Sequence, residues 1–227
     1  MKRVLLNIKK AILSFIVFSS FLSNASAEVS DDFFIYNKPQ VPFENEIFFP
    51  ALGSLDSFVM IEFFYNYDCT LCSKISETLS NRLEEKKDIR ITFHPIPQNK
   101  KEYEVALLEH LSFTEGRGVF KTIHSNVMKN INLNEFSLQF TLQEIYAMDQ
   151  HLGIRLFEKF QNEDKFRLGL DMSVEIAQKA NVKKLPTLII NNNIIEIENE
   201  AALKRIEEII ILEKSKILQE QIQKTLE

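Results

Sequence analysis

The chain has 227 residues and a formal net charge of −5, with 27 Lys and Arg against 32 Asp and Glu. Its 45% hydrophobic content, 19 Phe and only 5 Gly describe an ordinary globular protein with a good core, without internal repeats or low-complexity tracts. No basic block stands out, which argues against a nucleic-acid or anionic-membrane partner.

Residues 1–27 read as an export signal. Lys2, Arg3, Lys9 and Lys10 form a basic n-region, Ala11–Leu22 is apolar, and Ala25-Ser26-Ala27 supplies the small residues that signal peptidase requires. The apolar run falls well short of the ~20 residues that span a bilayer, which disfavours a membrane anchor. Cleavage after Ala27 leaves a chain with 23 basic and 32 acidic side chains, a net charge near −9. Export puts that chain in an oxidising compartment, periplasmic or secreted, where disulfide chemistry is available.

Residues 28–55, with Pro39, Pro42 and Pro50, read as an extended arm with one short edge strand near Phe34-Ile35-Tyr36. Ser57–Phe64 is a near-continuous apolar run, as expected of a strand covered on both faces. After the cysteines, Ile75, Leu79 and Leu83 lie at i, i+4 and i+8, one stripe of a helix. Asp88–His94 alternates and is β-branched, a second strand stopped by Pro95 and Pro97.

From Lys101 to Ala180 the period is helical, over 103–111, 119–128, 142–152, 155–160 and 171–180. Breaks are expected at 115–118, at 130–135, at Gly153 and at Gly169. The aromatic residues of this block, such as Phe120 and Phe136, read as core. The β signal returns at Thr187–Ile190 and Ile194–Ile197 around a turn at Asn191–Asn193, because asparagine tolerates positive φ. A long helix follows from about Glu200, with Leu203, Ile206 and Ile210 on one face, and continues past Leu212 to Leu226. The order predicts a mixed four-stranded sheet flanked by helices, with the helical block inserted between its halves.

Cys69 and Cys72 are the only cysteines in the chain. As a staple the pair is weak, since the stabilisation from closing a loop grows with its length. As half of a zinc site it lacks companions: there is no third cysteine, and His94, His110, His124 and His151 show no ligand spacing. A redox role fits the context better. At the start of a helix after a buried strand, free N–H groups and the macrodipole favour a thiolate on Cys69, and Cys72 lies one turn further in. Leu185-Pro186-Thr187 leads straight into a strand, where proline is tolerated; trans is the default for such a bond.

"IEFFYNYDCTLCSKI" (61–75) followed by "ANVKKLPTLIINN" (180–192), with "FHPIP" (93–97) between them, resembles the DsbA-like thiol:disulfide oxidoreductases of bacterial envelopes. The resemblance covers about Phe58 to Ile197. It implies an α/β, thioredoxin-like fold with an inserted α-helical domain: residues 28–100 and 181–227 would form the thioredoxin-like part, and 101–180 the insertion. It implies that Cys69 attacks, that Cys72 resolves, and that Pro186 is cis. The backbone of Leu185 would pair with a bound chain ahead of Thr187, and Glu62 would be the buried acid below the disulfide, relaying protons to Cys72.

The implied reaction is dithiol/disulfide exchange on exported proteins, needs no cofactor or metal, and draws on a quinone-linked membrane partner for reoxidation. A monomer is favoured, although the terminal helix is long enough to pair with a partner. Three departures from the family stand out. Thr70-Leu71 replaces the usual Pro-His, which removes one source of thiolate stabilisation and predicts a milder oxidant. Leu185 replaces the more common Val or Thr. The stretch from Glu62 to Cys69 is one residue longer than usual, and one residue flips the face of a strand. A reductase or isomerase, or a non-catalytic thioredoxin-fold chaperone or binding module, are the alternatives.

Overall fold

The structure, a computed structural model, describes residues 49–54, 56–131, 136–162 and 164–226. The export signal at 1–27 and the edge strand expected near 34–36 lie outside the described residues.

The sheet has five strands in the order β1-β3-β2-β4-β5. At its centre is β2 (Val59–Tyr65), parallel to β3 (Ile89–Pro95) and antiparallel to β4 (Thr187–Ile190). One face of β2 is buried along its whole length, through Val59, Ile61, Phe63 and Tyr65; the other is buried only at its C-terminal end, by Phe64, with Met60 exposed and Glu62 half-buried. The hairpin partner β5 (Asn193–Glu196) forms one edge. Its turn is tighter than expected, two residues rather than three. Asn191 and Asn192 both have positive φ, 45° and 76°, as a type I′ hairpin turn requires.

The other edge is a fifth strand that the sequence does not announce. β1 (Ala51–Leu52) pairs antiparallel with Ile91 and Thr92 of β3. Two residues are too few to show an alternation. Gly53 ends the strand at φ +97°, with its backbone so close to β3 that a Cβ would lie 2.3 Å from the Ile89 carbonyl oxygen.

Seven helices occur among the described residues. α1 (Thr70–Glu85) connects β2 to β3, and α7 (Glu200–Leu226) follows β5. They are clamped together at the C-terminal end of α1. There Arg82, 3% exposed, bonds Asp88 through two nitrogens at 3.1 and 2.9 Å and also pairs with Glu207; Lys214 reaches Asp88 at 3.0 Å. Ile206 and Ile210 bury the first half of α7, whereas Leu212, Leu218, Ile222 and Leu226 are exposed.

Between β3 and β4 run five helices: α2 (Lys100–Phe113), α3 (Arg117–Asn130), α4 (Leu138–Met148), α5 (Gln150–Phe160) and α6 (Asp164–Lys179). α2 is buried on nearly all sides, from Val105 through Ser112, and opens with an asparagine cap. Asn99 accepts from the Glu102 N–H at 3.0 Å, and Glu102 accepts from Gln98 N–H at 2.9 Å.

The expected helix over 142–152 is two helices. Asp149 is non-helical (φ −150°, ψ 107°), closes α4 through its N–H and caps α5 by accepting from Leu152 N–H. The breaks expected at Gly153 and Gly169 do not occur, since both residues lie inside helices. Gly153 is a packing residue: a Cβ there would stand 3.0 Å from the Tyr146 Cα, so glycine lets α4 and α5 approach closely. Among the described residues no helix is long and apolar enough to cross a membrane.

Candidate active site

β2 delivers the chain to a short loop in which Tyr67 is buried and Asp68 exposed; Cys69 then begins the helix. Cys69 is the N-cap of α1, with extended φ −150° and ψ 91°. Its Sγ accepts the Cys72 N–H at 3.0 Å, and its carbonyl accepts the N–H groups of Cys72 and Ser73 at 3.0 and 3.3 Å. A sulfur in that position lies where unpaired helix N–H groups and the macrodipole favour negative charge. Cys69 and Cys72 are joined by a disulfide, their Cα atoms 5.2 Å apart. Cys69 is half-buried and Cys72 fully buried, so an incoming group meets Cys69 first. Thr70 is exposed and Leu71 half-buried between them.

The Leu185–Pro186 peptide bond is cis. Pro186 is buried, Leu185 half-buried, and Thr187 Oγ1 donates to the Lys184 carbonyl at 2.7 Å, which fixes the entry to β4. Thr187 pairs with Phe64 at the end of β2 from which the cysteine loop departs. The proline loop and the disulfide therefore share one end of the sheet.

The structure does not bring Glu62 to the cysteine helix. Pairing between β2 and β3 is unbroken from Val59↔Ile89 to Tyr65↔Pro95, so no bulge absorbs the additional residue and the alternation is strict. Phe63, Tyr65 and Phe93 point to the face covered by α1. Tyr65 and Phe93 pack on His124, which in turn meets Ser76 of α1 at 2.8 Å. Glu62 and Phe64 point to the other face. There His94 Nε2 lies 2.6 Å from Glu62 Oε2, its ring stacks on Phe64, and its Nδ1 meets Ser173 Oγ of α6 at 3.3 Å.

The acid on the cysteine side is one the sequence does not single out. Glu109 of α2 is 1% exposed and accepts from Tyr65 Oη at 2.8 Å, Tyr67 Oη at 2.6 Å and His124 Nδ1 at 3.0 Å. Burial first, and Glu109 second, push both tyrosine hydroxyls well above their usual range, so they remain donors. The only sequence hint is a Glu-His pair within the apolar helical stretch 103–111.

A thioredoxin family model matches residues 49–210. Among solved structures, oxidised BdbD from Bacillus subtilis superposes with a TM-score of 0.63 at 20% identity, covering 74% of this chain and 93% of that one. Wolbachia pipientis α-DsbA1 gives 0.64 at 18%, covering 80% and 97%. The catalytic domain of Proteus mirabilis ScsC gives 0.62 at 17%, covering 76% and 92%. Among curated proteins none matches the sequence. With a helical block between β3 and β4, and a disulfide at the start of the helix after β2, the chain belongs to the thioredoxin family and has the DsbA-like form of its fold.

Proposed function

We propose that this chain is a thiol:disulfide oxidoreductase that exchanges its Cys69–Cys72 disulfide with exported protein substrates, acting as an oxidase. The observation that carries the reading is the asymmetry of the disulfide. One sulfur is half-buried and caps a helix, whereas the other is fully buried one turn inside it.

A substrate thiolate attacks Cys69 Sγ, the S–S bond breaks, and its electron pair moves to Cys72 Sγ. A second substrate thiolate then attacks the substrate sulfur of the mixed disulfide, and Cys69 leaves as a thiolate held by the helix N–H groups. The substrate acquires a disulfide, and the enzyme departs as the Cys69/Cys72 dithiol. The Leu185 backbone, next to cis Pro186 and ahead of Thr187, is the proposed rest for the substrate chain. Thr70-Leu71 offers no histidine to the Cys69 thiolate, so the couple is a milder oxidant than one with Pro-His. Residues 101–180 are proposed as the inserted helical domain and 28–100 with 181–227 as the thioredoxin-like part. Export with cleavage after Ala27, and reoxidation by a quinone-linked membrane partner, complete the reading.

The test is the equilibrium reduction potential against glutathione. A value of roughly −120 to −200 mV supports oxidase or isomerase duty, and one of about −270 mV makes the protein a reductase. A pair that does not react, or holding activity towards unfolded clients that survives Cys69→Ser with no loss of phenotype, points to a non-catalytic binding module.

A further inference from the structure

Beneath the disulfide, on the face covered by α1, lies a polar chain that crosses four elements. Tyr65 belongs to β2, and Tyr67 to the loop two residues ahead of Cys69. Glu109 comes from α2 and His124 from α3. Ser76 is one turn beyond Cys72 on the buried side of α1. Every member is nine-tenths or more buried. Glu109 gathers three partners, the hydroxyls of Tyr65 and Tyr67 and the ring of His124. His124 Nδ1 lies 3.0 Å from Glu109 Oε1, and its Nε2 lies 2.8 Å from the Ser76 hydroxyl. Among the described residues no lysine or arginine pairs with Glu109.

The other titratable group beside it is His110, which burial lowers to about 4; it is uncharged near neutral pH. The basic residue on the buried side of α1, Arg82, is bound to Asp88. In the core under the cysteine helix, a negative charge on Glu109 rests on two tyrosine hydroxyls and an imidazole. Such a charge is expensive compared with an apolar side chain of the same size. It also resists the formation of a second negative charge nearby in a medium of low dielectric constant.

We infer that Glu109 is a positioning residue for the thiol chemistry of Cys72: its buried charge, tied to the cysteine loop by Tyr67 and to the cysteine helix by His124 and Ser76, disfavours a thiolate on Cys72 and keeps that leaving group protonated. The inference rests on the proposed exchange reaction. When the S–S bond breaks, the electron pair lands on Cys72 Sγ, and the proton released when the substrate thiol ionised ends there. A protonated Cys72 does not attack the mixed disulfide again, so the substrate has time to complete its own disulfide.

The experiment follows release of a chromogenic aromatic thiol. Reduced protein is mixed with the symmetrical aromatic disulfide; Cys69 captures one half, and attack by Cys72 expels that captured half as a second thiol. The rate of this second step is measured from pH 5.5 to 9 for the wild type, Glu109→Gln and Glu109→Asp. Glu109→Gln is expected to move the profile to lower pH and speed the step about tenfold on its acidic limb, the effect of a unit charge on the order of 10 Å away at an effective dielectric constant near 20. Glu109→Asp, which keeps the charge, stays with the wild type.

A Gln profile that coincides with the wild type overturns the inference and leaves Glu109 a structural cross-link. A wild-type pair that never reacts sinks the proposed function instead. Should the Gln variant not fold, Tyr67→Phe removes the hydroxyl that ties Glu109 to the cysteine loop and is expected to shift the profile the same way; an unchanged profile there is equally fatal.

Discussion

His110 should make this protein lose stability as pH falls through a window in which paired carboxylates are still ionised. The ring is 4% exposed; Nδ1 faces the Ala106 carbonyl at 3.3 Å, and Nε2 has no partner. Burial is the main cause that lowers its pKa from 6.5 to about 4. His94 adds to the effect, while the Ala106 carbonyl and Glu109 oppose it. Because the folded value lies below the unfolded one, the contribution is complete above pH 6.5 and drains away as pH falls towards 4. The full difference corresponds to about 3 kcal/mol, of which about 2 kcal/mol is already lost at pH 5.

Urea unfolding at pH 7.5, 6 and 5, on the wild type and on His110→Leu, measures this directly. The variant should be flatter across the window by roughly 2 kcal/mol. Ion-paired carboxylates do not mask the effect. Glu115, held below its ordinary value chiefly by Lys159, with burial opposing and Arg155 assisting, loses its contribution only at lower pH. Identical slopes for the two proteins would mean that His110 is hydrated in solution and that the burial argument is wrong.

Arg82→Ala removes both bonds to Asp88 and the pairing with Glu207, and leaves Asp88 in a nearly closed site with Lys214 alone. A loss of about 3 kcal/mol in chemical denaturation is expected, and a loss below about 1 kcal/mol would show that Lys214 compensates. Gly53→Ala forces a left-handed φ on alanine and drives its Cβ into the Ile89 carbonyl. It should cost more than about 2 kcal/mol and raise amide exchange at Ile91 and Phe93, the β3 positions whose N–H groups face β1; wild-type exchange there would show that β1 yields without disturbing β3.

The elements legible in the sequence were those whose burial repeats at a short period. β2, β3 and the hairpin follow from apolar runs and a run of asparagines, and α1 from the stripe through Ile75 and Leu79. Cys69 and Cys72 stood out because the chain has no others. Glu109 did not, because its partners sit at 65, 67 and 124, separations that carry no periodic signal. Strand alternation placed Glu62 on one face or the other, and only the unbroken register of β2 with β3 decided which. Asp149 divides two helices without glycine or proline because an aspartate can end one helix and cap the next. Gly153 failed as a break signal because glycine inside a helix also permits close packing, and Gly169 likewise continues its helix.

Since Cys69 Sγ is both the bond to Cys72 and the acceptor that begins α1, opening the disulfide and loosening the helix are legs of one thermodynamic cycle. A thiolate is a stronger acceptor than a disulfide sulfur, so the first turn is held more firmly once the bond is open. Any substitution that strengthens this N-cap in one redox state more than in the other must change the melting difference between the two states and the reduction potential by the same free energy. Unfolding curves of the oxidised and reduced protein thus contain the redox potential, written in units of stability.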